Sequence, residues 1–179
     1  MRAVLDANIL FPTILREILA DLGAAGLYDP VWSARILEEW RRAAARLGSD
    51  QEVVAGAEIA LLTDRFPDAI AADDGVRTID MTFPDPADRH VVEAALDAAA
   101  PLIVTANLRD FPRSLMARLD LRATHPDLFL LDLHDRDPSA VDQAVDAARD
   151  KAARLGGAMS RAEMLRRCRL PRLAKRLKG

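Results

Sequence analysis

Aromatic residues and cysteine are both scarce in this chain of 179 residues. Only 4% of the residues are aromatic whereas half are apolar, so a core must be built from Ala, Leu, Val and Ile on closely packed helices. The single cysteine, Cys168, excludes an internal disulfide and is typical of a reducing compartment. The length suits one domain with a small appendage.

The chain also lacks any long hydrophobic run. No stretch approaches the roughly 18 apolar residues of a membrane-spanning helix. Asp6 and Glu17 interrupt the N-terminal region, where a signal peptide needs unbroken apolar residues. We therefore expect a cytoplasmic protein without membrane association.

Basic residues are unevenly distributed. No lysine occurs before Lys151, and residues 149–179 carry eleven basic side chains against two acidic ones, a net charge of +9. Because the whole chain carries −3, the first 148 residues carry −12. This asymmetry indicates either a polyanionic partner or a basic tail that folds back on an acidic body, and both remain open.

The apolar pattern predicts an alternation of strands and helices. Residues 3–5 and 102–104 are short apolar runs, typical of buried parallel strands. Gly, Pro and capping residues divide the rest into helices and less regular segments. The predicted helices cover residues 11–25, a segment capped by Ser33, 51–66, 89–99, 139–155 and a segment opened by a Ser160–Glu163 capping box. Residues 77–79 are a possible short strand, and residues 127–133 are a short strand or a helical turn.

Acidic and amide side chains recur where these elements end. Asp6 directly follows the first strand, Glu39 lies within a helical pattern, and Asp88 lies at a helix start. Asn107 and Asp110 follow the second strand. Because ligands of open α/β sheets bind beyond the carboxyl ends of the strands, we expect these oxygens to form a divalent-cation site.

The ordered set of motifs resembles the PIN-domain nucleases over residues 3–132. It comprises Val4-Leu5-Asp6-Ala7-Asn8, Ser33 with Glu39, Asp88 before an alanine-rich helix, and Ile103-Val104-Thr105 leading to Asp110-Phe111. The resemblance implies a three-layer α/β/α sandwich with a central parallel sheet over residues 1–134, followed here by a basic helical extension over residues 135–179. It also implies cleavage of RNA with one or two Mg²⁺ or Mn²⁺ ions. Many bacterial relatives are VapC-type toxins of type II toxin–antitoxin pairs, so a cognate antitoxin and a homodimer are further expectations.

Carried over position by position, the resemblance assigns Asp6, Glu39 and Asp88 to the metal site. The family's usual Thr-x-Asp is here Thr105-Ala106-Asn107, so either Asp110 completes the site as a fourth catalytic acid or the weaker ligand Asn107 does. Asn8, Ser33, Thr105 and Asn107 are expected to orient these acids. The RNA phosphates would meet four arginines of the tail: Arg166, Arg167, Arg169 and Arg172.

Several of these residues have a structural alternative. Glu39 could form a salt bridge with Arg35, Arg42 or Arg46 instead of binding metal. Asp88 could merely cap its helix, with Asp85 as the ligand. His90 is interpreted as structural or substrate-facing, because hard cations prefer oxygen ligands.

Two other functions compete with the nuclease. A phosphohydrolase with Asp6 as nucleophile would need a second Asp two residues on or a lysine after a later strand. Position 8 is Asn and no lysine precedes Lys151, which disfavours that class. A non-catalytic binding or regulatory module remains open because Asn107 replaces the family's acid.

Overall fold

The computed structural model describes residues 1–154 and 156–178. Its centre is a sheet of five parallel strands in the order β3-β2-β1-β4-β5. The strands are β1 (Arg2–Leu5), β2 (Asp29–Ser33), β3 (Ile70–Ala71), β4 (Leu102–Val104) and β5 (Arg122–Thr124). The sheet therefore places the two predicted strands, β1 and β4, side by side at its middle.

Helices connect and flank the strands. They are α1 (Ala7–Leu10), α2 (Thr13–Ala24), α3 (Ala34–Ala45), α4 (Ser49–Arg65), α5 (Arg89–Asp97), α6 (Arg113–Arg118), α7 (Pro126–Arg136), α8 (Pro138–Arg154), α9 (Arg161–Arg167) and α10 (Pro171–Arg176). Two 3₁₀ turns, Pro86–Asp88 and Leu108–Asp110, precede α5 and α6.

The central strands are covered by helices, as the sequence predicts. Helix α5 packs against β1, β2 and β4, while α2 packs against α8, which also contacts α7. Val4, Ile103 and Val104 are completely buried, as expected for parallel strands covered on both faces. The predicted α/β/α sandwich with C-terminal helices is confirmed.

The few aromatic side chains tie elements to this aliphatic core. Tyr28 packs edge-on against Phe129 with ring centroids 5.0 Å apart, and its hydroxyl donates to the Leu19 carbonyl at 2.9 Å. Trp32 makes a similar contact with Phe66. Such pairs add stability beyond the area that they bury.

Some predicted elements differ from the structure. Residues 77–79 form a turn rather than a strand, because the Arg77 amide and the Thr78 hydroxyl donate to the Glu93 carboxylate at 3.0 and 2.8 Å instead of to a neighbouring strand. Residues 127–133 lie inside helix α7, which begins at a proline and is capped by His125. The predicted helix 139–155 corresponds to α8, and Leu155 lies outside the described residues.

The C-terminal helices dock on the body. Leu165, Leu170 and Leu173 are completely buried, and α10 packs against α7 and α9. The buried carboxylate of Asp127 accepts hydrogen bonds from the amides of Arg172 and Leu173, both at 3.0 Å, and so fixes the start of α10. Helix α7 runs through the boundary expected between residues 134 and 135, and that boundary stays a prediction.

Within the part of the chain that the structure describes, no helix is both long and apolar enough to cross a membrane.

Candidate active site

Asp6 occupies the carboxyl end of β1. Its amide donates to the Val104 carbonyl at 3.1 Å, which ties the end of β1 to β4, and its own carbonyl accepts from the Ile9 amide in α1. The Thr105 hydroxyl donates to Asp6 Oδ2 at 2.7 Å, and Asn8 Nδ2 donates to the same oxygen. Because both side-chain bonds fall on Oδ2, they orient the carboxylate without occupying Oδ1.

The Asp6 side chain is buried in an acidic neighbourhood. Burial raises the pKa of Asp6 above its ordinary value, and the negative charge of Glu39 raises it further. The hydrogen bonds from Thr105 and Asn8 act in the opposite direction. The hydrogen bonds thus hold the Asp6 carboxylate in place, but no positively charged side chain among the described residues pairs with it.

Asp88 lies beside Asp6 and Asp110 at the start of α5. Burial raises its pKa to about 6, with further contributions from the charges of Asp6, Asp110 and Asp85. In the described part of the chain, no cationic side chain lies within ion-pair distance of Asp6 or Asp88. Asp85 accepts from the Ala87 amide at 2.8 Å and caps the 3₁₀ turn, whereas Asp88 makes no capping bond.

Asn107 and Asp110 have different positions in the loop after β4. Asn107 Nδ2 donates to Asp110 Oδ2. The backbone amide of Asn107 donates to Thr105 Oγ1 at 3.0 Å. Asp110 is the member of the pair whose charge acts on Asp88. This geometry favours Asp110 as the fourth acid and Asn107 as the residue that orients it.

Glu39 reaches the cluster from α3. The Ser33 hydroxyl accepts from the Ile36 amide at 3.2 Å and caps this helix, so Ser33 acts on Glu39 only through the helix that carries it. Glu39 Oε1 lies 3.6 Å from Arg35 Nε and 2.9 Å from His90 Nε2. The Arg42 alternative is excluded, because Arg42 pairs with Glu38 at 2.7 Å.

His90 is buried beside Glu39 rather than facing substrate. Its side chain is 1% exposed. The 2.9 Å approach of Nε2 to Glu39 lacks hydrogen-bond alignment, and neither ring nitrogen has a hydrogen-bond partner among the described residues. His90 is therefore a buried neighbour of Glu39 without an aligned hydrogen bond, which supports the structural interpretation.

The donor set fits a hard divalent cation that keeps part of its water shell. All four acids offer oxygen, and the repulsion that raises the Asp88 pKa would be relieved by a bound cation. Nowhere in residues 1–154 and 156–178 do three His, Cys, Asp or Glu side chains converge as a ready-made metal cage. Mg²⁺ does not need such a cage, since one or two carboxylates plus water and substrate oxygens commonly hold it.

Comparison with known proteins identifies the family of this chain. The chain matches the PIN domain family over residues 2–109, more than half of its length. It belongs to the PIN-domain family. The match includes Asp6, Glu39 and Asp88 and ends just before Asp110.

Among curated proteins, the chain is similar to the putative ribonuclease VapC50 of Mycobacterium tuberculosis (strain ATCC 25618 / H37Rv). The two are 48% identical over 48 residues, which are 27% of this chain and 28% of that protein. The similar segment thus spans less than a third of either protein. No solved structure matches the chain significantly.

The basic extension lies beyond the PIN-family match. All four predicted RNA-binding arginines, Arg166, Arg167, Arg169 and Arg172, are exposed. Only Arg167 and Arg169 line a concavity that also contains Asn8 and Ala106 at the edge of the acid cluster. The structure therefore places two of the four near the candidate site.

Sequence reasoning missed two residues that build this concavity. His125 lines it, and Asp127 fixes the helix that follows Arg169. The available signal was the triplet His125-Pro126-Asp127, since a proline preceded by a capping side chain is typical of a helix start.

Proposed function

We propose that this PIN-domain protein is a divalent-metal-dependent endoribonuclease. Asp6, Glu39, Asp88 and Asp110 hold one or two Mg²⁺ or Mn²⁺ ions. The observation that carries the proposal is the gathering of these acids beyond the carboxyl ends of β1 and β4, where Asp88 has a pKa of about 6. Arg35 and Arg109 lie near Glu39 and Asp110. Asp6 and Asp88 have no cationic partner among the described residues, and their mutual repulsion is costly in a protein that does not bind a cation there.

The residues around the acids keep them in place. A bound divalent metal supplies an activated water and charge neutralisation for phosphodiester hydrolysis. Thr105 and Asn8 fix the rotamer of Asp6 through Oδ2, and Asn107 fixes Asp110. His90 limits the positions open to Glu39. The substrate is RNA, whose phosphates approach the metal beside Arg167 and Arg169.

Cleavage of a single-stranded RNA tests the proposal. Purified protein should cut the RNA with Mn²⁺ or Mg²⁺ and should not cut it in EDTA. Asp6→Asn should abolish this cleavage, because the substitution removes charge from the only acid at the end of β1. Asp64→Asn is the matched control, since Asp64 is exposed on α4 away from the site. Equal cleavage by wild type and Asp6→Asn would contradict the proposal.

The toxin role is a finer part of the same proposal. It is supported by family membership and by the name of the similar protein, a putative ribonuclease VapC50. Expression of the wild-type protein in the bacterial cytoplasm should arrest growth, expression of Asp6→Asn should not, and a cognate antitoxin should relieve the arrest. Unimpaired growth in the presence of active, folded wild-type enzyme would remove the toxin assignment and leave the nuclease.

A homodimer stays a prediction, with a candidate surface on α4. Val53, Ala57, Ala60 and Leu61 form an exposed apolar stripe at helical spacing. Val53 and Leu61 are 73% and 66% exposed. Light scattering of wild type and Leu61→Glu would test whether the stripe joins two copies.

The competing functions predict other outcomes. A non-catalytic module would bind Mn²⁺ and RNA without cutting the RNA. An Asp-nucleophile phosphohydrolase would release phosphate from a phosphomonoester. Asn8 donates to Asp6 instead of presenting a second carboxylate, which disfavours that chemistry.

A further inference from the structure

A pocket of about 220 Å³ opens directly beside the acid cluster. Asn8 and Ala106 form the wall on the side of the metal site, and Arg167 and Arg169 form an arginine wall of the same pocket. The wall formed by Asn8 and Ala106 is physically continuous with the candidate site, because Asn8 donates to Asp6 and accepts from the Ala106 amide at 3.0 Å. Concavities of about 410 and 490 Å³ lie elsewhere, and both include Arg2 at the opposite end of β1.

The arginine wall is part of the folded body. Asp127 caps α10 through the Arg172 and Leu173 amides, and Leu170 between the arginines and α10 is completely buried. Arg169 itself adopts a left-handed conformation, with φ of 59°, at the turn from α9 to α10. A non-glycine residue in this conformation is held by its surroundings, so the turn presents Arg169 at a fixed place.

The pocket combines an apolar floor with a cationic rim. Ile9, Leu15 and Pro126 line the floor, and no acidic residue contributes to the lining. Arg167 pairs with Glu163 at 2.7 Å, but this pair is exposed and therefore weak. Arg169 has no carboxylate partner within the described residues, which leaves its guanidinium available to an anion.

His125 adds a neutral donor to the rim. Its Nδ1 accepts from the Asp127 amide at 3.2 Å, which assigns the ring hydrogen of the neutral form to Nε2. Burial lowers the pKa of His125, and the charges of Arg172 and Arg169 lower it further. The charge of Asp127 opposes this shift. In its neutral form the ring can donate one hydrogen bond through Nε2.

We infer that this pocket binds one nucleotide of single-stranded RNA next to the scissile phosphate, with the base on the apolar floor and its phosphate on Arg169 and Arg167. A volume of about 220 Å³ suits a single base. This inference rests on the proposed ribonuclease function and adds a subsite supplied by the extension.

The chain offers a matched pair of charge substitutions. Arg169→Gln removes the rim charge and keeps a long side chain at the left-handed position. Lys175→Gln makes the same change of charge on α10, at an exposed residue that does not line the pocket. Binding of a fluorescein-labelled, ten-nucleotide single-stranded RNA is measured in EDTA, so that cleavage is not required.

Arg169→Gln should weaken binding about tenfold and reduce the slope of log affinity against log salt by about one, because one phosphate contact is lost. Lys175→Gln should change the affinity less than twofold. With Mn²⁺ present, Arg169→Gln should raise KM with little change in kcat. Equal losses from the two substitutions, or no loss from either, would overturn the subsite.

The single cysteine provides a second readout. Cys168 lines the pocket, is half-buried, and has a pKa raised by burial to about 11. Saturating RNA should slow its alkylation by a maleimide several-fold, and unchanged alkylation at saturation would exclude occupation of the pocket. If the wild type binds RNA and protects Cys168 yet never cuts RNA with Mn²⁺, the ribonuclease proposal fails while the subsite stands.

Discussion

Asp88, at the start of α5, and Glu93, within α5, have opposite surroundings. Glu93 is completely buried, and its oxygens accept from the Thr78 hydroxyl, the Arg77 amide and the Arg77 guanidinium. Asp88 lies near the surface, yet its neighbours are other carboxylates and its pKa is about 6. Burial alone thus does not identify a functional acid.

The difference lies in which groups satisfy each charge. Around Glu93 the protein supplies its own donors and uses them to fasten residues 77–78 to α5. Around Asp88 the described residues supply other carboxylates and no cation, which leaves its negative charge uncompensated. We therefore assign Glu93 to folding and Asp88 to binding a cation, and substitutions at the two positions should have opposite consequences.

The largest expected effect is on catalysis at Asp88. Asp88→Asn should lower the rate of Mn²⁺-dependent RNA cleavage about a thousandfold, or ~4 kcal/mol of transition-state stabilisation, because a metal-binding charge is lost. Initial rates at saturating RNA, with circular dichroism to verify folding, provide the measurement. A variant that keeps more than a tenth of the wild-type rate would place the metal elsewhere.

The next largest effect is on stability at Glu93. Glu93→Ala should lower the free energy of unfolding by about 3 kcal/mol, because the buried Thr78 hydroxyl and Arg77 lose their acceptor. Urea denaturation checks this, with Glu163→Ala as an exposed control that should change stability by less than about 1 kcal/mol. A Glu93→Ala variant as stable as the control would contradict the assignment of Glu93 to folding.

A smaller effect, of the opposite sign, is expected at Asp88 in EDTA. The folded pKa of Asp88, about 6, exceeds the ordinary value of 3.8, so the folded protein binds the extra proton between these values. The stability that the folded protein gains from this proton is fully present below pH 3.8 and is lost as the pH rises through about 6. Asp88→Asn should therefore be more stable than wild type by about 1–2 kcal/mol at pH 7, with the difference vanishing near pH 4.

Urea denaturation across this pH range measures that difference. Mn²⁺ should restore the stability of the wild type relative to the variant, since the cation favours the charged carboxylate. A difference that stays constant from pH 4 to 7 would mean that the raised pKa of Asp88 is not its source.

The smallest expected effect concerns His90. His90→Phe should raise the Mn²⁺ concentration for half-maximal cleavage about fivefold, ~1 kcal/mol, because Glu39 loses the polar neighbour at 2.9 Å that limits its position. His90→Gln should recover much of the loss, since its amide can reach the same oxygen. If Phe and Gln behave alike, His90 contributes packing only.

The sequence predicted the elements whose pattern is local. The apolar runs 3–5 and 102–104 identify central strands, because parallel strands covered on both faces need continuous apolar residues. Strand β2 begins with Asp29-Pro30 and β5 is Arg122-Ala123-Thr124, so neither shows such a run. Their pairing depends on neighbours distant in sequence.

In the candidate site, too, some features follow from local sequence and others depend on contacts between distant residues. The position of Asp6 follows from the strand that it ends, whereas the choice between Asn107 and Asp110 depends on side-chain rotamers in a loop. The pocket was not predictable, because it exists only where residues 8 and 106 meet residues 167–169 in space. Local patterns therefore locate the acids, and tertiary packing decides what surrounds them.

Metal binding is the most direct test of the assignment of Asp88. Titration of Mn²⁺ into the protein by isothermal calorimetry at pH 7 should give one or two sites in the wild type and in Asp64→Asn. Asp88→Asn should bind Mn²⁺ at least about tenfold more weakly, a loss of ~1.4 kcal/mol or more, because a carboxylate ligand is gone. Equal Mn²⁺ affinity in wild type and Asp88→Asn would contradict the proposal that these acids form the metal site.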